Sequence, residues 1–143
     1  MSDSGSNRYL SIVDDESDIT MSFHEALKSI PGITIFTFTE PQLALEHFKT
    51  NKNSYALVIS DLRMPVINGF QLLKTVKDLN PQVRTVLITA FDVERKLFQE
   101  YAKKEIIDGF AQKPISRDNL LQEVSAQLHS YELLKIPDSK RLE

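Results

Sequence analysis

The chain has 143 residues, 41% of them hydrophobic and 26% charged, with no cysteine and a formal net charge of −3 at pH 7. That length fits one domain whose core can hold without disulfides or a structural metal, and the missing thiols exclude disulfides and zinc–thiolate centres. A mildly acidic chain without a lysine or arginine tract has no nucleic-acid footprint; no apolar run approaches the roughly 18 residues that span a bilayer, and MSDSGSN lacks a signal peptide's apolar segment, so a cytoplasmic compartment without membrane attachment is expected.

Residues 1–7 are polar and read as a flexible tail. YLSIV (9–13) is a strand, running into Asp14, Asp15 and Glu16. Ile19, Phe23, Ala26, Leu27 and Ile30 recur at helical spacing, and Pro31-Gly32 stops that helix. ITIFTF (33–38) is rich in β-branched and aromatic residues and predicts a second strand. Pro41 suits a first helical turn, and Leu43, Ala44, Leu45 and Phe48 give the helix an apolar side before the turn NKNS (51–54). YALVIS (55–60) is a continuous apolar run, as a strand covered on both faces requires, and it ends at Asp61. A loop with Pro65 and Gly69 leads to a helix marked by Phe70, Leu73, Val76 and Leu79, closed by Asn80-Pro81. VRTVLIT (83–89) is another buried strand. Residues 92–104 predict a charged helix through Val93, Leu97 and Tyr101. DGFAQK (108–113) is a short strand before Pro114, and Ser116 can cap a last helix lined by Leu120, Val124, Leu128 and Tyr131.

Strand and helix thus alternate five times, which predicts an α/β, doubly wound (βα)5 sandwich of three layers with a parallel five-stranded sheet. The expected division is a tail over 1–7, one domain over 8–134 and a tail or linker stub over 135–143. In such sheets ligands bind beyond the carboxyl ends of the strands, at a topological switch point. With the flavodoxin-like order 2-1-3-4-5, strands one and three are neighbours there. Asp14 and Asp15, Asp61, Thr89 and Lys113, each at a strand end, then share one crevice. Three carboxylates in one place repel one another, so either their pKa values rise or a cation neutralises them. All-oxygen ligands suit a hard cation such as Mg²⁺, and a nearby lysine and threonine can hold phosphoryl oxygens. The set suits phosphoryl transfer onto a carboxylate.

IVDDE (12–16), VISDLRMPVINGF (58–70), LITA (87–90) and GFAQKP (109–114) together resemble the response-regulator receiver family of two-component signalling, over about residues 8–134. The resemblance implies that Asp61 is the phosphoacceptor and that Mg²⁺ is held by Asp15, Asp61 and the backbone carbonyl of Arg63, with Asp14 helping through water. It implies that Thr89 hydrogen-bonds the phosphoryl group, that Lys113 pairs with it, and that Phe110 stands where the family has an aromatic switch. The Lys113–Pro114 bond matches one that is commonly cis in the family. It further implies a sensor histidine kinase or histidine phosphotransfer protein as donor, no activity beyond self-phosphorylation and dephosphorylation, and a response over the fourth helix, fifth strand and fifth helix. Monomer and phosphorylation-dependent dimer both stay open, as does the downstream target.

The chain departs from the family pattern in places. Phe110 lacks the hydroxyl of the usual tyrosine, Arg63 and Phe91 place bulk beside the access path to the phosphate, and KKEIID (103–108) replaces a small-residue segment before the fifth strand. His24, His47 and His129 fall in different helices and read as surface or boundary residues. Met21 on the first helix and Leu133-Leu134 on the last are candidate contact residues, or ordinary exposed side chains. A phospho-independent interaction module on the same fold is the alternative reading. A phosphatase using an aspartyl-phosphate intermediate is a further one, disfavoured because Asp14 and Asp15 are adjacent rather than in an Asp-x-Asp pattern. A flavin or nucleotide binder is disfavoured by the absence of a Gly-x-Gly-x-x-Gly or Walker-type loop.

Overall fold

The computed structural model describes residues 7–90, 99–100 and 104–135. The apolar runs become five parallel strands, β1 (Arg8–Val13), β2 (Ile33–Phe38), β3 (Tyr55–Asp61), β4 (Arg84–Thr89) and β5 (Gly109–Gln112), in the order β2-β1-β3-β4-β5. Four helices are described: α1 (Ser17–Leu27), α2 (Pro41–Asn51), α3 (Gly69–Leu79) and α4 (Arg117–Leu134). The helix predicted over 92–104, with Val93, Leu97 and Tyr101, lies outside the described residues except at 99–100 and 104, as do Phe91 and the tail residues 1–6 and 136–143. The last predicted helix is therefore α4 here.

The sheet order follows from burial. β3 is buried along its whole length and sits centrally, between β1 and β4. From Leu57 on its side chains alternate between faces, after an irregularity in its pairing with β1 that lets Tyr55 share a face with Val58. Tyr55 and Val58 join Phe48, Leu72, Leu73, Val76 and Leu87 under α2 and α3. Leu57 and Ile59 join Leu10, Ile12, Phe23, Leu27, Val86, Leu120 and Val124 under α1 and α4. Each fully buried Leu or Ile stabilises the fold by about 1.5–3 kcal/mol, so this middle layer holds the sheet together. Tyr131, 4% exposed, packs its ring under the cations of Arg8 at 5.6 Å and Lys135 at 5.3 Å, tying the end of α4 to the start of β1.

The helical faces differ in detail from their predicted lines. Leu43 is 48% exposed, because α2 covers the sheet's β2 edge with the narrow stripe of Pro41, Ala44 and Phe48. The α3 face centres on Leu72, Leu73 and Val76, with Phe70 and Leu79 half-buried at its margins. On α4 a polar residue, Gln127, is buried where Leu128 was expected to lead. Ser116 caps α4 as predicted, its hydroxyl accepting from the Asn119 N–H.

The segment linking β3 to α3 is closed tightly. The Leu62 N–H donates to Ile88 O at 2.8 Å, and the Gly69 N–H donates back to Leu62 O at 2.8 Å. Asn68 and Gln71 form a capping box at the start of α3. A Cβ on Gly69 would overlap the carbonyl oxygen of Asp61, so only glycine lets α3 begin this close to the end of β3. Between these anchors Val66 adopts φ 72, and the Ile67 N–H donates to Pro65 O at 2.8 Å, a strained γ-turn centred on a β-branched residue.

Gly69→Ala is expected to lower unfolding stability by about 2–3 kcal/mol, since backbone must move to make room. Gly32→Ala, at φ 77 with open space around it, should cost only about 1 kcal/mol. Urea unfolding of both variants measures the difference; equal losses would mean that the β3–α3 junction has slack.

Candidate functional site

Parallel pairing delivers the site. β1 and β3 run side by side with Val13 opposite Ser60, so the next residues, Asp14 and Asp61, emerge together at the carboxyl edge. Asp14 is 2% exposed and Asp61 8%, while Asp15 faces solvent. Carboxylate oxygens of Asp14, Asp15 and Asp61 all lie within 4.8 Å of one another.

Lys113 comes from further away. It follows β5, so its side chain has to cross the end of β4 to reach the acids. Its backbone N–H donates to Thr89 O at 2.7 Å, and the Lys113–Pro114 bond is cis. The ammonium donates to Asp14 Oδ2 at 2.6 Å and lies 3.3 Å from Asp61 Oδ1 and 3.8 Å from Glu16 Oε1. The other oxygen of Asp14 accepts the Glu16 N–H at 2.9 Å. Asp14 is thus engaged on both oxygens, by a backbone amide and an ammonium.

Electrostatics follow from this crowding. Burial pushes the Asp61 carboxyl up from its ordinary value, the charges of Asp14 and Asp15 push the same way, and Lys113 only partly offsets them. For Lys113 burial acts to lower the pKa, but the bonds to Asp14 and Asp61 and the charges of both outweigh it, and the net shift is upward. Asp14, Asp15 and Asp61 taken with Lys113 sum to a formal charge of −2. The donor set fits a small divalent cation. One carboxylate oxygen from each of the three lies within 4.8 Å of the others, and all-oxygen donors suit a hard cation.

The remaining predicted residues take these places. Thr89 is the last residue of β4 and 1% exposed. Phe110 is half-buried on β5, opposite Leu87, and packs against the α2–α3 core. Arg63 is exposed in the loop after β3. The histidines stand apart from the acids. His47 packs against Phe36, ring centroids 4.2 Å apart, and its Nδ1 meets the Tyr55 hydroxyl at 2.8 Å. Burial lowers the pKa of His47 and raises that of Tyr55 to about 12. Glu16 as a third acid near Lys113 was not foreseen; its place directly after the Asp-Asp pair was the available signal.

A family model described as the response regulator receiver domain matches residues 10–125. Among curated proteins the chain is 29% identical over 115 residues to a C4-dicarboxylate transport transcriptional regulatory protein of Rhizobium meliloti, spanning 78% of this chain and 23% of that one. It is 26% identical to two-component response regulator 24 of Arabidopsis thaliana, spanning 80% of this chain and 81% of that one. It spans only 12% of the sensor kinase/phosphatase LuxN of Vibrio harveyi. Among solved structures, an uncharacterized protein from Neptuniibacter caesariensis superposes with a TM-score of 0.81 at 30% identity, covering 96% of this chain and 98% of that one. A receiver domain from Clostridium thermocellum superposes at 0.76 with 26% identity, covering 89% and 98%.

The raised Asp61 pKa carries a definite sign. The folded chain holds the Asp61 proton more tightly than the unfolded chain does. Ionisation therefore costs stability as the pH rises from the ordinary carboxylate range through the raised value, and that cost is present at neutral pH. Asp61→Asn should raise the urea midpoint at pH 7 in chelator, lose that advantage near about pH 4, and respond less than wild type to added Mg²⁺. Equal midpoints at pH 7 would show that Lys113 already neutralises the cluster.

Proposed function

The chain belongs to the response-regulator receiver family, a signalling module of two-component systems rather than a conventional enzyme, and on that footing we propose that it takes a phosphoryl group on Asp61 in the presence of Mg²⁺. The donor is a sensor histidine kinase or a histidine phosphotransfer protein in the cytoplasm. The observation that carries the reading is the Lys113 ammonium seated between Asp14 and Asp61, with Asp15 beside them, at the ends of two paired strands.

Each residue has a task. Asp15, Asp61 and the carbonyl of Arg63 would hold Mg²⁺, which when bound would neutralise charge on the phosphoryl oxygens. Asp14 would help through water, in keeping with the prior engagement of both its oxygens by Glu16 and Lys113. An Asp61 oxygen attacks phosphorus as the phosphorus–nitrogen bond to the donor imidazole breaks, and the electron pair leaves on that nitrogen. Asp61 is suited to this because Lys113 is poised to pass from its carboxylate to a phosphoryl oxygen. The product is an acyl phosphate of up to about two negative charges. The Thr89 hydroxyl then turns to donate to it, and Phe110 swings inward into the space vacated. The face formed by β5, the final helix and the chain preceding β5 changes for a downstream protein, with the molecule a monomer or a phosphorylation-dependent dimer. Arg63 beside the access path slows hydrolysis of the acyl phosphate.

Incubation with Mg²⁺ and acetyl phosphate should add one phosphoryl group by intact mass, absent in Asp61→Asn and slowed about 10-fold or more in Lys113→Ala. No gain from acetyl phosphate or from a histidine kinase, with Mg²⁺ binding verified, would replace this reading with a phospho-independent interaction module.

A further inference from the structure

A second ionic cluster lies at the other end of β5. Asp108 immediately precedes that strand, and its Oδ2 pairs with Lys77 at 2.6 Å and accepts the Thr85 N–H at 2.9 Å. The Thr85 hydroxyl lies 3.3 Å from the same oxygen, and Arg84 lies 3.7 Å from Oδ1. Lys77 comes from α3 on one face of the sheet. From the other face Gln127 of α4 donates to Asp108 O at 3.3 Å while accepting from Arg84 Nε at 2.9 Å. Gln127 also donates to Glu123 at 2.9 Å, and a Cβ on Gly109 would overlap that Glu123 carboxylate. The Lys77, Asp108 and Arg84 side chains are only 11%, 16% and 19% exposed. One residue thus gathers both helical layers and β4 onto the first residue of β5.

β5 needs such an anchor. It has four residues, pairs only with β4 among the described strands, and offers Gly109, Phe110, Ala111 and Gln112 as its contents. A strand this short and this weakly apolar specifies its own register poorly, and a slip of one residue reverses every side chain. Its register matters because Lys113 comes directly after it and reaches across β4 to Asp14 and Asp61.

We propose that Asp108 is a positioning residue for Lys113: its carboxylate, by pinning the entry of β5 to Thr85, Lys77 and Arg84, fixes where the lysine leaves the strand and so the aim of its ammonium at the phosphoacceptor. The inference rests on Asp61 being the phosphoacceptor. Asp108 acts through the strand and not by touching the phosphoryl group.

The test is a double-mutant cycle read on the initial rate of Asp61 phosphorylation by acetyl phosphate, beside circular dichroism and urea midpoints. Asp108→Asn should slow phosphorylation about 3- to 10-fold in the wild-type background and less than about 2-fold in the Lys113→Ala background. Lys77→Met removes one arm, leaves the bonds to Thr85, and should show a smaller loss with the same dependence on Lys113; it serves where Asp108→Asn does not fold. Equal fold-losses in both backgrounds, or no loss in the first, would overturn the inference and leave Asp108 as scaffold alone. If wild type takes no phosphoryl group, the phosphoacceptor reading fails instead. The same cycle read on Mg²⁺ affinity then decides the positioning role, since Lys113 and the cation compete for Asp14 and Asp61: coupling between the two substitutions supports it, and additivity rejects it.

Discussion

Asp14 and Asp61 stand side by side at the ends of two buried parallel strands, and the single ammonium of Lys113 touches both. Burying two carboxylates this close is costly unless opposite charge and hydrogen bonds meet them. The fold meets that cost from three directions: a backbone amide at Glu16, a lysine from beyond β5, and an open edge where Asp15 faces water. None of these works unless β1, β3 and β4 are locked in register. The central layer of Leu57, Val58, Ile59, Val86, Leu87 and Ile88, each no more than 2% exposed, supplies that lock. The apolar core and the charged site are one construction, the first fixing the distances on which the second depends.

Three carboxylates against the one ammonium of Lys113 leave the group net negative, which suits a site where the receiver family binds Mg²⁺. Transfer of a phosphoryl group replaces one carboxylate charge by up to about two on an acyl phosphate. A net negative cluster accepts more only if cations are present and if neighbouring donors turn toward the new oxygens. Such turning becomes a signal where the packing offers two arrangements that differ in their contacts with the new group. Thr89 and Phe110 lie on adjacent paired strands, and at the opposite end of that pair the Asp108 carboxylate accepts the Thr85 N–H.

Much of this was legible in the chain because it is encoded locally. The run YALVIS predicted a central buried strand, and every residue of β3 is buried. The strand–helix alternation predicted a parallel sheet; the flavodoxin-like order was a premise, which the sheet bears out, and that order brings Asp14, Asp15 and Asp61 together. The crevice shared by Lys113 and the acids was expected from the strand ends, but the particular pairings of residues distant in sequence were not legible. Lys113 lies 99 residues from Asp14, and only the completed sheet shows that it favours Asp14 over Asp61 in this state. Lys77 and Gln127 come from two different helices and Asp108 from the residue before β5, and each looks individually like a surface polar residue. Leu43 misled because helical spacing does not say how wide a stripe the sheet edge will cover. The strain at Val66 is equally invisible in sequence, since nothing local forbids a valine there until both ends of the loop are fixed.

The choice of lysine at 113 follows from the same geometry. An arginine fork on Asp14 could make two parallel bonds to one carboxylate and would be held there by its planar shape. Lysine presents a compact charge with three rotatable donors on a flexible stem, so it can share itself between Asp14 at 2.6 Å and Asp61 at 3.3 Å and pass to a new anionic oxygen with little rearrangement. That mobility is useful only if the stem starts from a fixed point, and its backbone N–H is held by Thr89 O at 2.7 Å. A mobile charge on an anchored stem lets one ammonium meet two acids at once and, on the proposed reading, turn to a third anion.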